Sequence, residues 1–573
     1  MSSPHSMPDM RNLILAVVLS TSILLGWQFF VEKPKREAAV AQAEIQRQKQ
    51  AASKAADPDA VLSDAAQAPA QPAREDVRIA LDTTAVHGSV NLTGLRLDDL
   101  ALKQYSQTTQ NEEPVHVLSP VGKKAAYFAE FGWLSGSKNV AVPNATTPWQ
   151  SNQEAFTAQE PLVATWDNGA GLAFEQRIEA KDRFLFGIEQ RVTNRGDAPV
   201  TLYPYGLISR SYADTSKHFF ILHEGPIGVF NNTLSEVSYK DLRNDKSKSY
   251  DQSNGWLGIT DKYWLSALIP DQTATFNGTM KYIQPNGDER YQTDYRGAAM
   301  VVQPGETIQY RSHFFVGAKE VSLLERYGEQ LQIPLFDRAV DFGMLYFLTK
   351  PIFHALTYFN ALLGNFGLAI LALTVCIKLL LFPLANKSYA SMSQLKVLMP
   401  KITEIRERFG DDKLKMNQEI MDLYKREKVN PASGCLPMLL QLPVFFALYK
   451  VLFVTIEMRH APFYGWIHDL SAPDPTTIFN LFGLIPWDPP SMLMIGAWPL
   501  IMCATMVIQQ RLNPTPSDPV QAMVMKWLPF IFLFLFASFP AGLVIYWAWN
   551  NTLSILQQWL IQQRHKSKYG TAS

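Results

Sequence analysis

Apolar positions gather at the two ends of this chain, and polar positions fill its middle. Near the start, Leu13 to Val31 is a mostly apolar run of 19 residues. At ~1.5 Å per residue it is long enough to cross a ~30 Å hydrocarbon core. Trp27, Phe29 and Phe30 suit a membrane interface. A cleaved signal peptide would show a shorter core followed at once by small residues. Glu32-Lys33-Pro34-Lys35-Arg36 follows instead, so the pattern predicts an uncleaved anchor over residues 1–32. Residues 33–75 are rich in Ala, Gln and Pro, with almost no large apolar side chains. Such a stretch buries too little surface to offset its ordering entropy and reads as a flexible linker.

Residues 76–332 carry the two-residue period of strands. In "RFLFGIEQRVTNRGDAPVTLYPY", Phe184, Phe186, Ile188, Gln190 and Val192 alternate with their neighbours. Asn194-Arg195-Gly196-Asp197 then makes a turn, and a new strand starts at Val200. "ATFNGTMKYI" and "TIQYRSHFFVGA" repeat the style, and the length suits a large β-sandwich. His116, His218, His223 and His313 are scattered through it and read as surface or satisfied histidines. Ile333–Phe353 changes period. Leu335, Val340, Met344, Phe347 and Leu348 fit one helical face, and Asp337, Arg338 and Asp341 fit another. This predicts an amphipathic helix at the membrane interface within residues 333–365, stopped or kinked by Pro351.

Three runs near spanning length follow: Phe366–Leu384, Cys435–Val454 and Met492–Gln510. The last run, Trp527–Trp549, is interrupted by "FPAG" (Phe539–Gly542), and apolar periodicity continues through Leu553, Leu556, Leu560 and Ile561. Two helices joined at Pro540 fit it better than one. The expected segments are therefore a second transmembrane helix over 366–385, a loop over 386–434, and transmembrane helices 3–6 with a short basic tail over 435–573.

The formal net charge is zero, so no global field favours nucleic acid. Local charge says more. The 386–434 loop is rich in Lys and Arg, the tail after Gln563 holds Arg564, Lys566 and Lys568, and Thr455–Ser491 holds only Arg459. Both basic segments lie in the cytoplasm under the positive-inside rule. That requires the final run to cross twice, giving six spans with both termini inside. Lys33, Lys35 and Arg36 after the first span point the other way. The larger loop outweighs them, because long domains translocate largely regardless of charge.

The 386–434 loop itself reads as two helices broken at Gly410, with Asp411 or Asp412 capping the second. Leu395, Leu398, Ile402 and Ile405 form one apolar stripe, and Met416, Ile420, Met421 and Leu423 form the other. The product is an antiparallel hairpin, either a solvated coiled coil or a docking arm. Cys376, Cys435 and Cys503 lie in or beside apolar segments, without metal-ligand spacing. No metal or cofactor site is expected.

One residue breaks the apolar pattern. "ILALTVCIKLLLFPL" (Ile370–Leu384) carries a single charge, Lys378. A mid-membrane charge costs about 2.5–3.5 kcal/mol on insertion scales. Either Lys378 snorkels towards the headgroups beyond Pro383, or it serves a polar site inside a bundle. Thr374, four residues earlier, shares its helix face.

"GDDKLKMNQEIMDLYKREKVNPASGCLPMLLQLPVFFALYKVL", "APFYGWIHDLSAPDP" and "LPFIFLFLFASFPAGLVIYWAWNN" are long, specific strings. On them the chain resembles the YidC/Oxa/Albino family of membrane-protein insertases, in its Gram-negative bacterial form. The resemblance covers nearly the whole chain and implies a polytopic α-helical membrane protein with six transmembrane helices. Five of these form a core around a polar groove, and a large periplasmic all-β sandwich is attached. It implies an activity: helping newly made proteins insert, fold and assemble in the bacterial inner membrane, alone or with the Sec translocon. Matched to the family pattern, Lys378, Thr374, Gln441, Tyr546 and Trp547 line or border the groove. Enterobacterial relatives carry arginine where this chain has Lys378, so the charge is kept and the planar donor fork is not. The hairpin residues Leu398, Met399, Ile402, Ile405 and Asp411 become candidates for docking. The implied partners are nascent membrane proteins, the Sec translocon, the ribosome and signal-recognition-particle pathway, and membrane lipids. Nucleic-acid recognition is not among them, and a monomer is expected to suffice.

Two other classes compete. A secondary transporter also places a charge inside a bundle, but it would more often show internal repeats and paired broken helices. A tethered periplasmic carbohydrate enzyme accounts for residues 76–332 and leaves the hairpin idle.

Overall fold

The computed structural model describes residues 77–569, except 110–112, 123–124, 138, 212–221, 285–286, 410–411, 428, 430–435, 488, 491–492 and 514–518. The expected anchor and linker lie outside the described residues, as do His218 and Asp411.

The alternating segments form two facing sheets, one of 11 strands and one of eight. Phe184, Phe186, Ile188, Gln190 and Val192 are all buried, as the period of two requires. Gln190 is the polar member, and its Nε2 donates to the Gly132 carbonyl across the core at 2.7 Å. Phe131 and Phe314 meet edge to face between the sheets, with centroids 5.8 Å apart. The turn after Asn194 is not a hairpin. Leu185–Asn194 belongs to the smaller sheet and Val200–Ser211 to the larger, so the chain crosses the core here. The Asn194 amide fixes the crossing by donating to the carbonyls of Ala198 (2.8 Å) and Val302 (3.0 Å).

Nine α-helices occur among the described residues. Helices α1 (Tyr239–Asp245) and α2 (Val321–Gln330) belong to the sandwich. The remainder are α3 (Tyr346–Leu363), α4 (Phe366–Arg408), α5 (Lys413–Arg426), α6 (Leu436–Val454), α7 (Ala497–Leu512), α8 (Pro519–Phe536) and α9 (Ala541–Tyr569). The last apolar run is divided around Pro540, between α8 and α9. Among the described residues, Phe366–Met392 alone is long and apolar enough to cross a membrane by length and composition, and Gln441–Val454 and Ala522–Phe536 are shorter apolar stretches.

The expected helix over Ile333–Phe353 does not form as one unit. Leu335 (φ 51°) and Gly343 (φ 70°) adopt left-handed backbone, which an α-helix cannot pass through. Between them, Phe336–Ala339 forms a short 3-10 turn packed on the sandwich. Phe336 meets Trp256 edge to face at 5.3 Å, and Trp256 Nε1 donates to the Pro334 carbonyl at 3.1 Å. The expected apolar face is thereby split, with Val340 buried and Met344 and Phe347 exposed. The helix starts only at Tyr346 and carries Pro351 inside it. A second difference lies downstream. The second apolar run and the first hairpin helix are one continuous 43-residue helix, α4, despite Pro383 and Pro400.

Sandwich and bundle share one continuous buried apolar cluster. Polar contacts surround the junction. Lys450 pairs with Asp341 at 2.9 Å, and Arg459 donates to the carbonyls of Ser106 (2.6 Å) and Gln107 (2.9 Å). Lys262 lies 3.8 Å from the Phe453 ring centroid. Glu457 Oε1 accepts from the Val321 backbone at the start of α2 at 3.1 Å, while Oε2 is buried with no hydrogen-bond partner among the described residues. Burial raises the Glu457 carboxyl to about 7, and the nearby Glu320 and Glu325 push the same way.

Candidate functional site

The segment 460–474 ties three helices to one end of the bundle. Asn365 caps α4 by accepting from Leu368, and its Nδ2 donates to the Pro462 carbonyl at 3.2 Å. Gly367 lies so close to Phe463 that a Cβ there would meet the ring at 2.0 Å. Ala541 and Gly542, opening α9, donate to the carbonyls of Ala472 (2.7 Å) and Leu470 (3.0 Å). Asp474, buried, accepts from the Trp498 backbone at 2.9 Å and so caps the start of α7. The string Ala461–Pro475 therefore seals this end and starts α4 and α9 side by side.

Parallel starts give matched depths. Twelve residues separate Phe366 from Lys378, and thirteen separate Ala541 from Ser554. At ~1.5 Å per residue, both lie roughly 18–20 Å along their helices. Lys378 Nζ donates to Ser554 Oγ at 2.8 Å. The ammonium is thus directed sideways, into the bundle, rather than along α4 towards Pro383.

A cavity of about 260 Å³ opens around this pair. Its lining includes Lys378, Gln441, Tyr546 and Trp547 and, among the described residues, no Asp or Glu. Gln441 Nε2 donates to the Tyr546 hydroxyl, linking α6 to α9. Trp547 packs edge-on against Phe445 at 4.7 Å. Thr374 is not among the lining residues. It is buried one turn nearer the sealed end, and its hydroxyl donates to the Ile370 carbonyl at 2.6 Å. The cavity extends away from the seal, along α4 to Tyr389 and Met392 and along α7 to Gln510 and Asn513.

Sequence reasoning missed the polar residues of α9. Asn550, Asn551, Ser554, Gln557 and Gln558 follow helical spacing, so one stripe of this helix is polar. Asn550, Asn551 and Ser554 line the cavity. The stripe was visible in "NNTLSILQQ" beside the apolar run, but the apolar periodicity drew the reading.

At the end of α4, Leu398 and Ile402 pack with Ile420, Leu423 and Val429 in a small separate core, with Leu395, Met399, Ile405 and Met416 against it. Asp412 caps α5 through the Lys415 backbone at 3.1 Å. Met421, expected on the inner stripe, is exposed. The expected Met416, Ile420 and Leu423 recur every three to four residues and turn one face to α4, while Met421 lies about 100° round the helix from Ile420.

The 60Kd inner membrane protein family matches residues 358–568, and the YidC periplasmic domain family matches residues 78–355. The chain is 49% identical over 562 residues to the membrane protein insertase YidC of Rickettsia bellii, covering 97% of this chain and 99% of that protein. It is 50% identical over 554 residues to the protein of that name from Rickettsia akari, covering 96% and 99%. A crystal structure of an active YidC insertase, with its first transmembrane domain resolved, aligns over 84% of this chain and 92% of that one, at 17% identity and a TM-score of 0.36. A putative aldose 1-epimerase from Escherichia coli K12 aligns over 42% of this chain at 9% identity and a TM-score of 0.28.

Fold, groove and matches together define an inner membrane protein that carries a periplasmic β-rich domain on a helical region. Among such proteins, this chain belongs to the YidC family of membrane protein insertases. That family inserts proteins and is not a family of enzymes.

Proposed function

We propose that this protein inserts newly made membrane proteins by lending them a polar groove that holds a fixed positive charge. The observation that carries the reading is Lys378, turned into a cavity whose lining has no carboxylate among the described residues. A nascent protein must move a short polar, often acidic, segment across the membrane before its apolar span settles, and polar groups in hydrocarbon are costly. A cavity that ends part-way across shortens the dry distance. Lys378 attracts the acidic segment briefly, Gln441 and Tyr546 exchange hydrogen bonds with it, and Trp547 borders its path. The substrate's span then leaves sideways into lipid, driven by burial of its apolar area.

In this reading six helices span the membrane, both termini are cytoplasmic, and five spans surround the groove. The hairpin acts as a docking arm whose two helices are held together by Leu398 and Ile402, with Met399 and Ile405 against them, so partners meet its outer faces. The Sec translocon, the ribosome and signal-recognition-particle pathway, and membrane lipids are its partners, and a monomer suffices. The Lys/Arg asymmetry of the loops supports the topology. Single-cysteine labelling checks it: positions near Lys413 and Lys566 should label only from the cytoplasm, and those near Asp197 and Asp474 only from the periplasm. Periplasmic labelling at Lys566 would sink the six-span count.

The groove is tested with substrates that differ only in the charge of the translocated tail, read by protease protection. Lys378→Arg should insert every tail nearly normally. Lys378→Ala should impair acidic tails most and neutral tails least. Lys378→Glu should be worst for acidic tails, because like charges repel in a partly desolvated site. If alanine and wild type insert all tails equally, Lys378 is only an anchoring residue and attraction is abandoned.

A further inference from the structure

We infer that Ser554 is a positioning residue that holds the Lys378 ammonium at mid-depth while leaving its charge unneutralised. This rests on the groove reading above. The argument starts from donor and acceptor counts. An ammonium has three N–H donors and no acceptor. One of the three goes to Ser554 Oγ at 2.8 Å. The Ser554 proton is already committed, because Oγ donates to the Asn550 carbonyl, one turn back on α9, at 2.8 Å. Ser554 can therefore only accept from Lys378. A hydroxyl in that role fixes direction without supplying a counter-charge.

The alternatives are visible elsewhere in the same chain. Buried Lys281 is held by a carboxylate, Asp294, at 3.0 Å, and exposed Lys401 by Glu427 at 3.0 Å. A carboxylate at the groove would hold Lys378 as firmly and cancel its charge. With serine there, two N–H groups and the full charge remain for an acidic visitor. Ser554 is 2% exposed and sits at the depth of Lys378, so the bond needs no long reach of the lysine stem. Without it, four rotatable bonds let the ammonium swing towards the open end of the cavity and rejoin water.

The test uses the full-length protein in membranes and the same two substrates, one acidic-tailed and one neutral-tailed. Ser554→Ala should lower insertion of the acidic tail several-fold and leave the neutral tail near wild type. Ser554→Cys, which keeps size but accepts poorly, should behave like alanine and guards against a packing defect of the smaller side chain. Ser554→Asp, which supplies a counter-charge, should lose the acidic tail and keep the neutral one. In a Lys378→Ala background, Ser554→Ala should change nothing further. Two results overturn positioning while sparing the groove reading: Lys378→Ala selective for acidic tails with both Ser554→Ala and Ser554→Cys at wild-type level, or equal loss of both tails persisting in the Lys378→Ala background. Indifference of all tails to Lys378→Ala would remove both readings together.

Discussion

Lys281 in the sandwich and half-buried Lys378 in the groove meet opposite kinds of partner. In the sandwich, Lys281 pairs with Asp294, which also accepts from Gln292 at 2.7 Å. Arg96 pairs with Glu130 at 2.9 Å, and the Tyr205 hydroxyl donates to that same carboxylate at 2.8 Å. These two charges are neutralised where they stand, whereas buried Lys319 in the same sandwich donates to the Thr260 hydroxyl at 2.9 Å and the Ala339 carbonyl at 3.2 Å. In the groove, Lys378 meets a hydroxyl and, among the described residues, no carboxylate. A charge left open at a desolvation cost of that kind belongs to function rather than to stability.

The comparison can be broken at several points. The largest effect is expected at the hairpin, which belongs to neither region's core and lies at the open end of the groove. Removing Lys396–Lys425 should abolish insertion while the bundle keeps its protease resistance in the membrane. Normal insertion without it would make the hairpin a solvated spacer. Next comes the contrast between the two lysines. Lys281→Ala strands a buried Asp294 and should cost the sandwich on the order of 3–5 kcal/mol, with insertion unchanged. Urea unfolding of the full chain, followed by tryptophan fluorescence, should register it, whereas Lys378→Ala should leave that curve alone. If both variants shift stability alike, the two cations do not differ in role.

The smallest effect is expected where the regions meet. The folded-state carboxyl of Glu457 lies at about 7, above its ordinary value of 4.5. The docked state therefore binds more protons than the undocked one between those values, and docking weakens as pH rises from about 4.5 to about 7, then levels off. Limited proteolysis at the junction should be slower at pH 5 than at pH 8. Glu457→Gln should flatten the difference, and an unchanged pH profile in that variant would assign the effect elsewhere.

Much of this was legible in the chain itself. The strand period through Val192, the division at Pro540, the break around Gly410 and the oddity of Lys378 are all local patterns. Each follows from how side chains repeat along a helix or strand, which neighbours in sequence determine. Other features depended on distant partners. Ile333–Phe353 has helical periodicity, yet Phe336 goes to Trp256, and the backbone turns left-handed at Leu335 and Gly343 to allow it. The turn after Asn194 is legible, but not that it carries the chain between sheets, because its next partner strand, Tyr127–Ser135, lies far back in the sequence. Lys378 announced itself, but Ser554, 176 residues away, did not. Whether a buried lysine is open or quenched depends on what stands within hydrogen-bond reach. Only the packing of α9 against α4, fixed by their shared start at the 460–474 segment, decides that.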